Sequence, residues 1–490
     1  MRKSNGSHIS RNMLAAVIQV IVTGLVFFVL YRFLFDQLGV EQIGVWSLVL
    51  ATTSVSRIGD LGLSAGVVRY VAQALGQGNG VRAGEIVQTV ALTLALLMAV
   101  LLVACYPLFI GVLNYLLPNQ EVPAALVVLP YALLSLWSTV IASVFMGGLD
   151  GCQRIDLRSL LMGVSHLAYL GLAVLWVPAH GLEGIARAQA VQAVALIAIS
   201  WWILRHQLVT LPLFPARWRL AVLKEMLAYG VNFQLITLMS MLFDPLTKGL
   251  MSKFGGLAAL GYYEIASKLI LQVRAIPIEV NRVIVPTVSD LQQREPKKIV
   301  DLFVVSYRIL FFASVIFYAA LGIFLPMISY LLIGKYDSTF VHFALLLIFG
   351  WSVNTVIGPA FFSNLGTGNL RPNVISHVIM SVVGLCAGIT LGLFLDGTGV
   401  LVGNILGLVT GSLFLLISYL KDSGLRWSSE LVPKGMWMLL MLCVMAVVFA
   451  NVWGAQRSLL ELASIEAASA LGIVLVGWYH PFRKTLRFSL

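Results

Sequence analysis

Residues 40–75 read VEQIGVWSLVLATTSVSRIGDLGLSAGVVRYVAQAL, and both ends of this stretch are apolar enough to lie in lipid. Near its centre stand Arg57 and Asp60. An arginine at the middle of a bilayer carries a penalty of about 3 kcal/mol or more unless it finds water or a partner. A spanning helix with such a charge at its midpoint points to a protein-lined, wet cavity. That reading stands only if the rest of the chain belongs in a membrane.

Composition puts it there. The chain has 490 residues, 59% hydrophobic and 11% charged, whereas soluble domains carry roughly a quarter of charged residues. Apolar runs of membrane-spanning length recur from end to end. The pattern predicts an all-α polytopic membrane protein with about 14 transmembrane helices, over 13–35, 42–75, 84–114, 122–148, 156–178, 182–205, 222–252, 257–290, 299–333, 340–364, 373–395, 398–420, 434–454 and 459–480. The run from Met13 to Phe35 is too long for a signal-peptide core and reads as a retained first helix. Cys105, Cys152, Cys386 and Cys443 are scattered, with no metal-site or disulfide spacing, and read as small buried hydrophobes. His166 and His377 lie in apolar helices with no carboxylate at helical spacing and read as structural.

An even helix count places both termini on one side. Twenty Lys and Arg residues then fall on that side, against Lys253, Lys335 and Arg457 on the other. The positive-inside rule makes the populated side cytoplasmic. The remaining nine, Arg32, Arg57, Arg69, Arg187, Lys248, Lys268, Arg274, Arg282 and Arg308, fall within helices, against Asp60, Asp244, Glu264 and Glu279. The embedded part is itself net positive.

The chain also repeats. QLGVEQIGVW (37–46) resembles KFGGLAALGYY (253–263), and GGLDGCQRIDLRSLL (147–161) falls opposite SNLGTGNLRPNVI (363–375). AHGLEGIA (179–186) falls opposite LDGTGVLV (395–402), the offset staying between 213 and 217 residues. Two copies of six helices each share one orientation, as in parallel-repeat transporters. The expected organisation is a cytoplasmic segment 1–12, an N-lobe 13–205, a linker 206–221, a C-lobe 222–420, and helices 13 and 14 with the C-terminus over 421–490. The repeat pairs charges: Arg32 with Lys248, Arg57 with Arg274, and Arg69 with Arg282. If each pair meets at the lobe interface, the two lobes enclose a central cationic cavity.

Helical spacing supplies candidate walls for that cavity. In the second helix Thr53, Arg57, Asp60 and Ser64 recur at i, i+4, i+7 and i+11, one polar stripe. In the eighth, Glu264, Lys268, Glu279 and Arg282 share a face, with Gln272 and Arg274 at its margins. The plainer alternatives are an Arg57–Asp60 ion pair, a Lys268–Glu264 ion pair, and snorkelling of Arg32, Arg69, Arg187, Lys248, Arg282 and Arg308 to the headgroups. An excess of Arg and Lys in a wet chamber suits a large anion, because arginine's planar fork matches a phosphate and stays charged when desolvated. The candidate anion-binding residues are therefore Arg57, Arg274, Arg32, Lys248, Lys268 and Arg282. The candidate coupling or cavity-polar residues are Asp60, Asp244, Glu264, Glu279, Thr53, Ser64 and Gln272.

RIGDLGLSAGVVRYVAQALGQGN (57–79), the GGLDGCQRIDLRSLL loop and LGTGNLRPN (365–373), set in two six-helix repeats, resemble the MOP flippase and exporter superfamily, specifically its polysaccharide-export, Wzx-like O-antigen flippase branch. The resemblance covers about residues 10–420. It implies alternating access that carries a polyprenyl-diphosphate oligosaccharide from the cytoplasmic to the outer leaflet of a bacterial inner membrane. It implies membrane lipid, a polysaccharide polymerase and glycosyltransferases as partners, with no nucleic acid, no cofactor, and a proton or sodium as coupling ion. A lipid II flippase shares these features. A cation-coupled multidrug exporter calls for an acidic residue in helix 1 or 7, which Asp244 supplies. A membrane enzyme is the least suited reading, since the outward loops are short and hold no carboxylate pair or metal cluster.

Overall fold

The computed structural model describes the backbone of residues 5–60, 62–208, 211–282, 284–425, 431–432, 434–454 and 459–479, and these are helical almost throughout, with no strand among them. Contacts divide the chain into two units, Met1–Lys253 and Phe254–Leu490.

The first unit holds α1 (Asn5–Ser54), a 3-10 turn (Val55–Asp60), α2 (Leu63–Gly76), α3 (Gly80–Leu116), α4 (Val122–Gly151), α5 (Ile155–Gln207) and α6 (Leu220–Leu250). The second holds α7 (Gly256–Arg282), α8 (Ile284–Arg294), α9 (Lys298–Ile323), α10 (Leu325–Ile333), α11 (Ser338–Val356), α12 (Gly358–Thr367), α13 (Arg371–Asp422), α14 (Lys434–Gly454) and α15 (Leu459–Tyr479).

Among the described residues nine helical stretches are long and apolar enough to cross a membrane. Three of them are two helices joined at a kink: α1 at Gly39, α5 at Gly181, and α13 at Leu395–Asp396. Counting both sides of each kink and adding α6 and α7 makes fourteen passes, as the sequence led one to expect. The outward surface is apolar, which only lipid tolerates on this scale. On α3, Leu96, Val100 and Val103 are exposed while Ala91, Leu94, Met98 and Leu102 are buried. The polar side chains inside are mainly small: Ser, Thr and Asn satisfy themselves against backbone, as Thr53 does on Val49 and Leu50.

The repeat is written in the backbone torsions. Residues with positive φ recur at the offset read from the sequence: Gly39 (78°) and Gly256 (77°), 217 apart; Gln153 (59°) and Gly368 (78°), 215 apart; Gly181 (54°) and Asp396 (51°), 215 apart. The two halves of α13 close on each other through glycines. A Cβ at Gly399 would lie 2.0 Å from the Leu391 carbonyl oxygen, at Gly403 2.3 Å from Gly388 N, and at Gly407 2.4 Å from the Met380 carbonyl oxygen. Spacing of four along the helix keeps these glycines on one side, so the backbones meet where no side chain fits.

Several helices expected to be continuous are divided. The 42–75 helix is broken by the 3-10 turn and by Gly62 at φ 71°. The 299–333 and 340–364 helices break at Phe324 and at Ile357. Pro326 and Pro359 each follow such a break within two residues. Proline lacks the N–H that its partner four residues earlier needs, so the helix restarts there.

Candidate functional site

The break at 55–62 remakes the second helix's polar stripe. Thr53 is buried and bonded to its own helix. The 3-10 turn then carries Arg57 to Asp60, and α2 starts beyond Gly62 with unsatisfied amides. Asp60 answers them: its Oδ1 accepts from Ser64 N (3.1 Å) and from Ser64 Oγ (2.9 Å). Ser143 Oγ of α4 donates to Ser64 Oγ (3.0 Å), tying the start of α2 to α4. Gly59 allows the turn to press on α3, where a Cβ would meet Leu101 and Met98 at 2.9 Å. The expected stripe is therefore not one helical face, because 3-10 geometry and Gly62 shift the register between Arg57 and Ser64. No ion pair joins Arg57 to Asp60 among the described residues. Arg57 is exposed and has no hydrogen-bond partner there, though the charge of Asp60 acts on it.

Arg274, the repeat partner of Arg57, is held. On α7 its Nη2 donates to Asn354 Oδ1 of α11 (2.7 Å), and its Cζ lies 4.3 Å from the centroid of the Trp351 ring. Asn354 Nδ2 donates to Ser412 Oγ of α13 (2.9 Å), which donates to the Leu408 carbonyl (2.7 Å). Beside this chain, Tyr318 Oη of α9 and Thr355 Oγ1 share a hydrogen bond (2.8 Å), and Thr355 Oγ1 donates to the Trp351 carbonyl (2.7 Å). The Arg274 Nε is buried without an acceptor. Trp351, Asn354, Tyr318 and Ser412 were not picked out from sequence. The signal available was WSVNT (351–355), a polar knot in an apolar helix.

Four of the other cations sit beside carboxylates of their own helices. Arg32 pairs with Asp36 (3.1 Å), Lys248 with Asp244 (3.0 Å), and Lys268 with the buried Glu264 (3.7 Å). Lys248 is itself buried, whereas Asp244 is half-exposed. Arg187 is bonded to Glu183, which also accepts from Tyr131 Oη. Arg69 is exposed and stacks over Tyr70 (5.9 Å). Gln272 is half-buried on α7. The side chains of Glu279 and Arg282 lie outside the described residues. His166 accepts or shares a hydrogen bond with Thr23 (3.1 Å), and His377 meets the Phe361 ring edge-on, both packing roles. Cys443 is buried but Cys386 is exposed, so the buried reading fails for Cys386, which the α13 surface turns outward. Just past α4, burial pushes the Cys152 thiol up to about 11, so it stays protonated at neutral pH. No group of His, Cys, Asp or Glu among the described residues could hold a metal ion.

The second unit also contains an apolar cavity of about 480 Å³ between α9, α11, α13 and α14. Phe311, Phe349, Leu416 and Trp437 line it, and Tyr318 and Ser352 bring it up to the Arg274 network. A cavity of that volume lies within the range of small-ligand pockets. Its lining suits hydrocarbon.

Comparison with solved structures shows which proteins share this fold. The lipid II flippase MurJ in an inward closed conformation matches with a TM-score of 0.75 and 12% identity, covering 97% of this chain and 99% of that one. An inward-facing multidrug resistance MATE family transporter of the MOP superfamily matches at 0.66 and 14%, covering 84% and 98%. A MOP superfamily transporter from Pyrococcus furiosus, described as having a binding pocket of reverse polarity, matches at 0.62 and 15%, covering 86% and 99%. These likenesses establish a MOP transporter fold. Residues 9–292 match the model of the polysaccharide biosynthesis protein family, and the chain belongs to that family. No curated protein sequence matches it.

Proposed function

We infer that this chain is a flippase for a polyprenyl-diphosphate-linked oligosaccharide, moving it from the cytoplasmic to the outer leaflet of a bacterial inner membrane for surface polysaccharide assembly. The observation that carries this reading is Arg57: an exposed residue with no hydrogen bond or ion pair among the described residues, only the charge of Asp60 acting on it, in a chain that exposes many large apolar side chains. Lipid does not tolerate such a group, whereas a diphosphate binds it. Arg274 supplies a second guanidinium, and alternating access offers the two in turn to the substrate. The apolar cavity by Tyr318 is the natural place for part of the polyprenyl tail. Both termini face the cytoplasm, a proton or sodium gradient drives the cycle, and polymerase and glycosyltransferases act before and after it.

A lipid II flippase is the second reading, favoured by the likeness to MurJ over almost the whole chain. A cation-coupled drug exporter is less well supported, because Asp244, the carboxylate it would use, is paired with Lys248. The test is complementation. Expressed in a bacterium lacking its own polysaccharide flippase, the chain restores surface glycan; expressed during MurJ depletion, it does not restore growth. Growth rescue without surface glycan selects the lipid II reading. Drug resistance with neither selects the exporter.

A further inference from the structure

The two helices outside the repeat, α14 and α15, close on the break between α9 and α10. In an intact helix the Gly322 carbonyl would accept from residue 326, but that residue is proline and has no N–H. Asn451 of α14 supplies the missing donor: its Nδ2 donates to the Gly322 carbonyl (2.8 Å) and to its own Val447 carbonyl (2.8 Å). Gly322 lets α14 come this near, since a Cβ there would lie 3.0 Å from Val447. On the other side of the break the Met327 amide lies within the first turn of α10, where helices leave donors unpaired. Glu466 of α15 takes it, Oε1 accepting from Met327 N at 3.0 Å.

Glu466 is 0% exposed. Its second oxygen, Oε2, is buried with no hydrogen-bond partner, as is Asn451 Oδ1. Two buried acceptors at one helix break, with no donor for either among the described residues, form an incomplete site. Titratable or basic groups on the packed elements are Lys298, Asp301, Tyr307, Arg308 and Tyr318 on α9, Tyr330 on α10, Lys434 and Cys443 on α14, and Glu461 and Tyr479 on α15 itself. No described side chain among them bonds to the Glu466 carboxyl, whose hydrogen bond from Met327 is its one polar contact among the described residues. An ionised carboxylate in that position has no cation bonded to it among the described residues, and burial alone sets a large desolvation penalty on its charge. A proton on Oε2 removes the charge and leaves Oε1 free to keep accepting from Met327.

We propose that Glu466 is a proton-binding site, occupied when α15 is docked on the α9/α10 break, and that losing the proton releases α15 from Met327. Once ionised, the carboxylate needs donors that the docked packing does not provide, so water must enter between α15 and α10. Glu466 lies seven residues, about 10 Å, in from Leu459 at the start of α15, which gives water a short path. The site is separate from Asp60, Asp244 and Glu264, the carboxylates that the sequence offered for coupling. It does not depend on which substrate is carried.

The test uses the full-length protein in lipid vesicles and the proton as probe. Infrared difference spectra between acid and alkaline pH should contain a protonated-carboxyl band that Glu466→Gln removes. The amide keeps the shape and the acceptor for Met327 but cannot titrate. Hydrogen exchange of the 321–333 segment, corrected for the intrinsic pH dependence of exchange, should rise at alkaline pH in the wild type and stay flat in Glu466→Gln. Absence of a titrating protonated carboxyl in the wild type, which requires no variant, overturns the proposal. A protonated-carboxyl band that Glu466→Gln leaves undiminished, or pH-dependent exchange identical in the two proteins, overturns it as well.

Discussion

Arg57 and Arg274 occupy matching places in the two repeats and live in opposite surroundings. The first stands on a 3-10 turn, exposed, its nearest carboxylate already engaged by Ser64. The second stands on a continuous stretch of α7, stacked on Trp351 and bonded to Asn354. The repeats thus share three positive-φ positions but diverge in the backbone under this charge and in what holds it. A guanidinium with no protein partner can give its full hydrogen-bonding capacity to a ligand. One that is already gripped gives part of it, and in return stiffens its own unit. Under the proposed flippase function, Arg57 acts mainly on transport, and Arg274 acts on both transport and stability.

The sharpest way to break that contrast is Arg57→Ala. Loss of charge-assisted bonds to a diphosphate, about 1.5–3 kcal/mol, predicts a fall in glycan export of roughly tenfold to a hundredfold. Membrane abundance and thermal midpoint should hardly move. Arg57→Lys should recover export only in part, because an ammonium cannot form the bidentate fork. The double change Arg57→Ala, Asp60→Ala should export no better than the single one. Normal export by the double variant would mean that Arg57 serves packing, and the contrast would be lost.

Next in size is Arg274→Ala, read by thermal unfolding in detergent. It leaves Asn354 Oδ1 without its donor, a penalty of about 1–3 kcal/mol, and removes a cation–π contact of about 1 kcal/mol. A lowered midpoint together with lost export is expected. An unchanged midpoint would show that the Asn354 and Trp351 contacts do not grip the guanidinium. Ser64→Ala is smaller, about 1 kcal/mol for a weakened start of α2, and hydrogen exchange in residues 63–67 should report it without a matching change in the second unit. Smallest is Lys268→Ala. Its pairing with Glu264 is half-exposed and long at 3.7 Å, so a shift under about 1 kcal/mol is expected in the same melts.

Much of this was legible in the sequence. Apolar runs located the fourteen passes, and a constant offset located the repeat, because hydropathy and spacing are local and cumulative signals. Both fail where a single residue redirects the backbone. Assuming 3.6-residue periodicity through 53–64 joined Thr53, Arg57, Asp60 and Ser64 into one stripe, although Gly59 and Gly62 lay between them. The grip on Arg274 depends on Asn354 and Ser412, 80 and 138 residues away, a distance no helical spacing can bridge. Glu466 escaped for a different reason. Its helix has no counterpart in the repeat, so alignment of the two halves passes over it.

The kink pairing Gly181 with Asp396 has a practical consequence. Both adopt nearly the same torsions, φ 54° with ψ −130° and φ 51° with ψ −139°. This backbone is free for glycine and strained for aspartate, by about 1–3 kcal/mol. One half of the molecule therefore serves as a stabilised reference sequence for the other. Asp396→Gly, copying the first half, should raise the thermal midpoint by the equivalent of about 1 kcal/mol, provided that the lost side chain makes no compensating contact. A protein prepared this way would survive extraction longer without any residue of the transport path being touched.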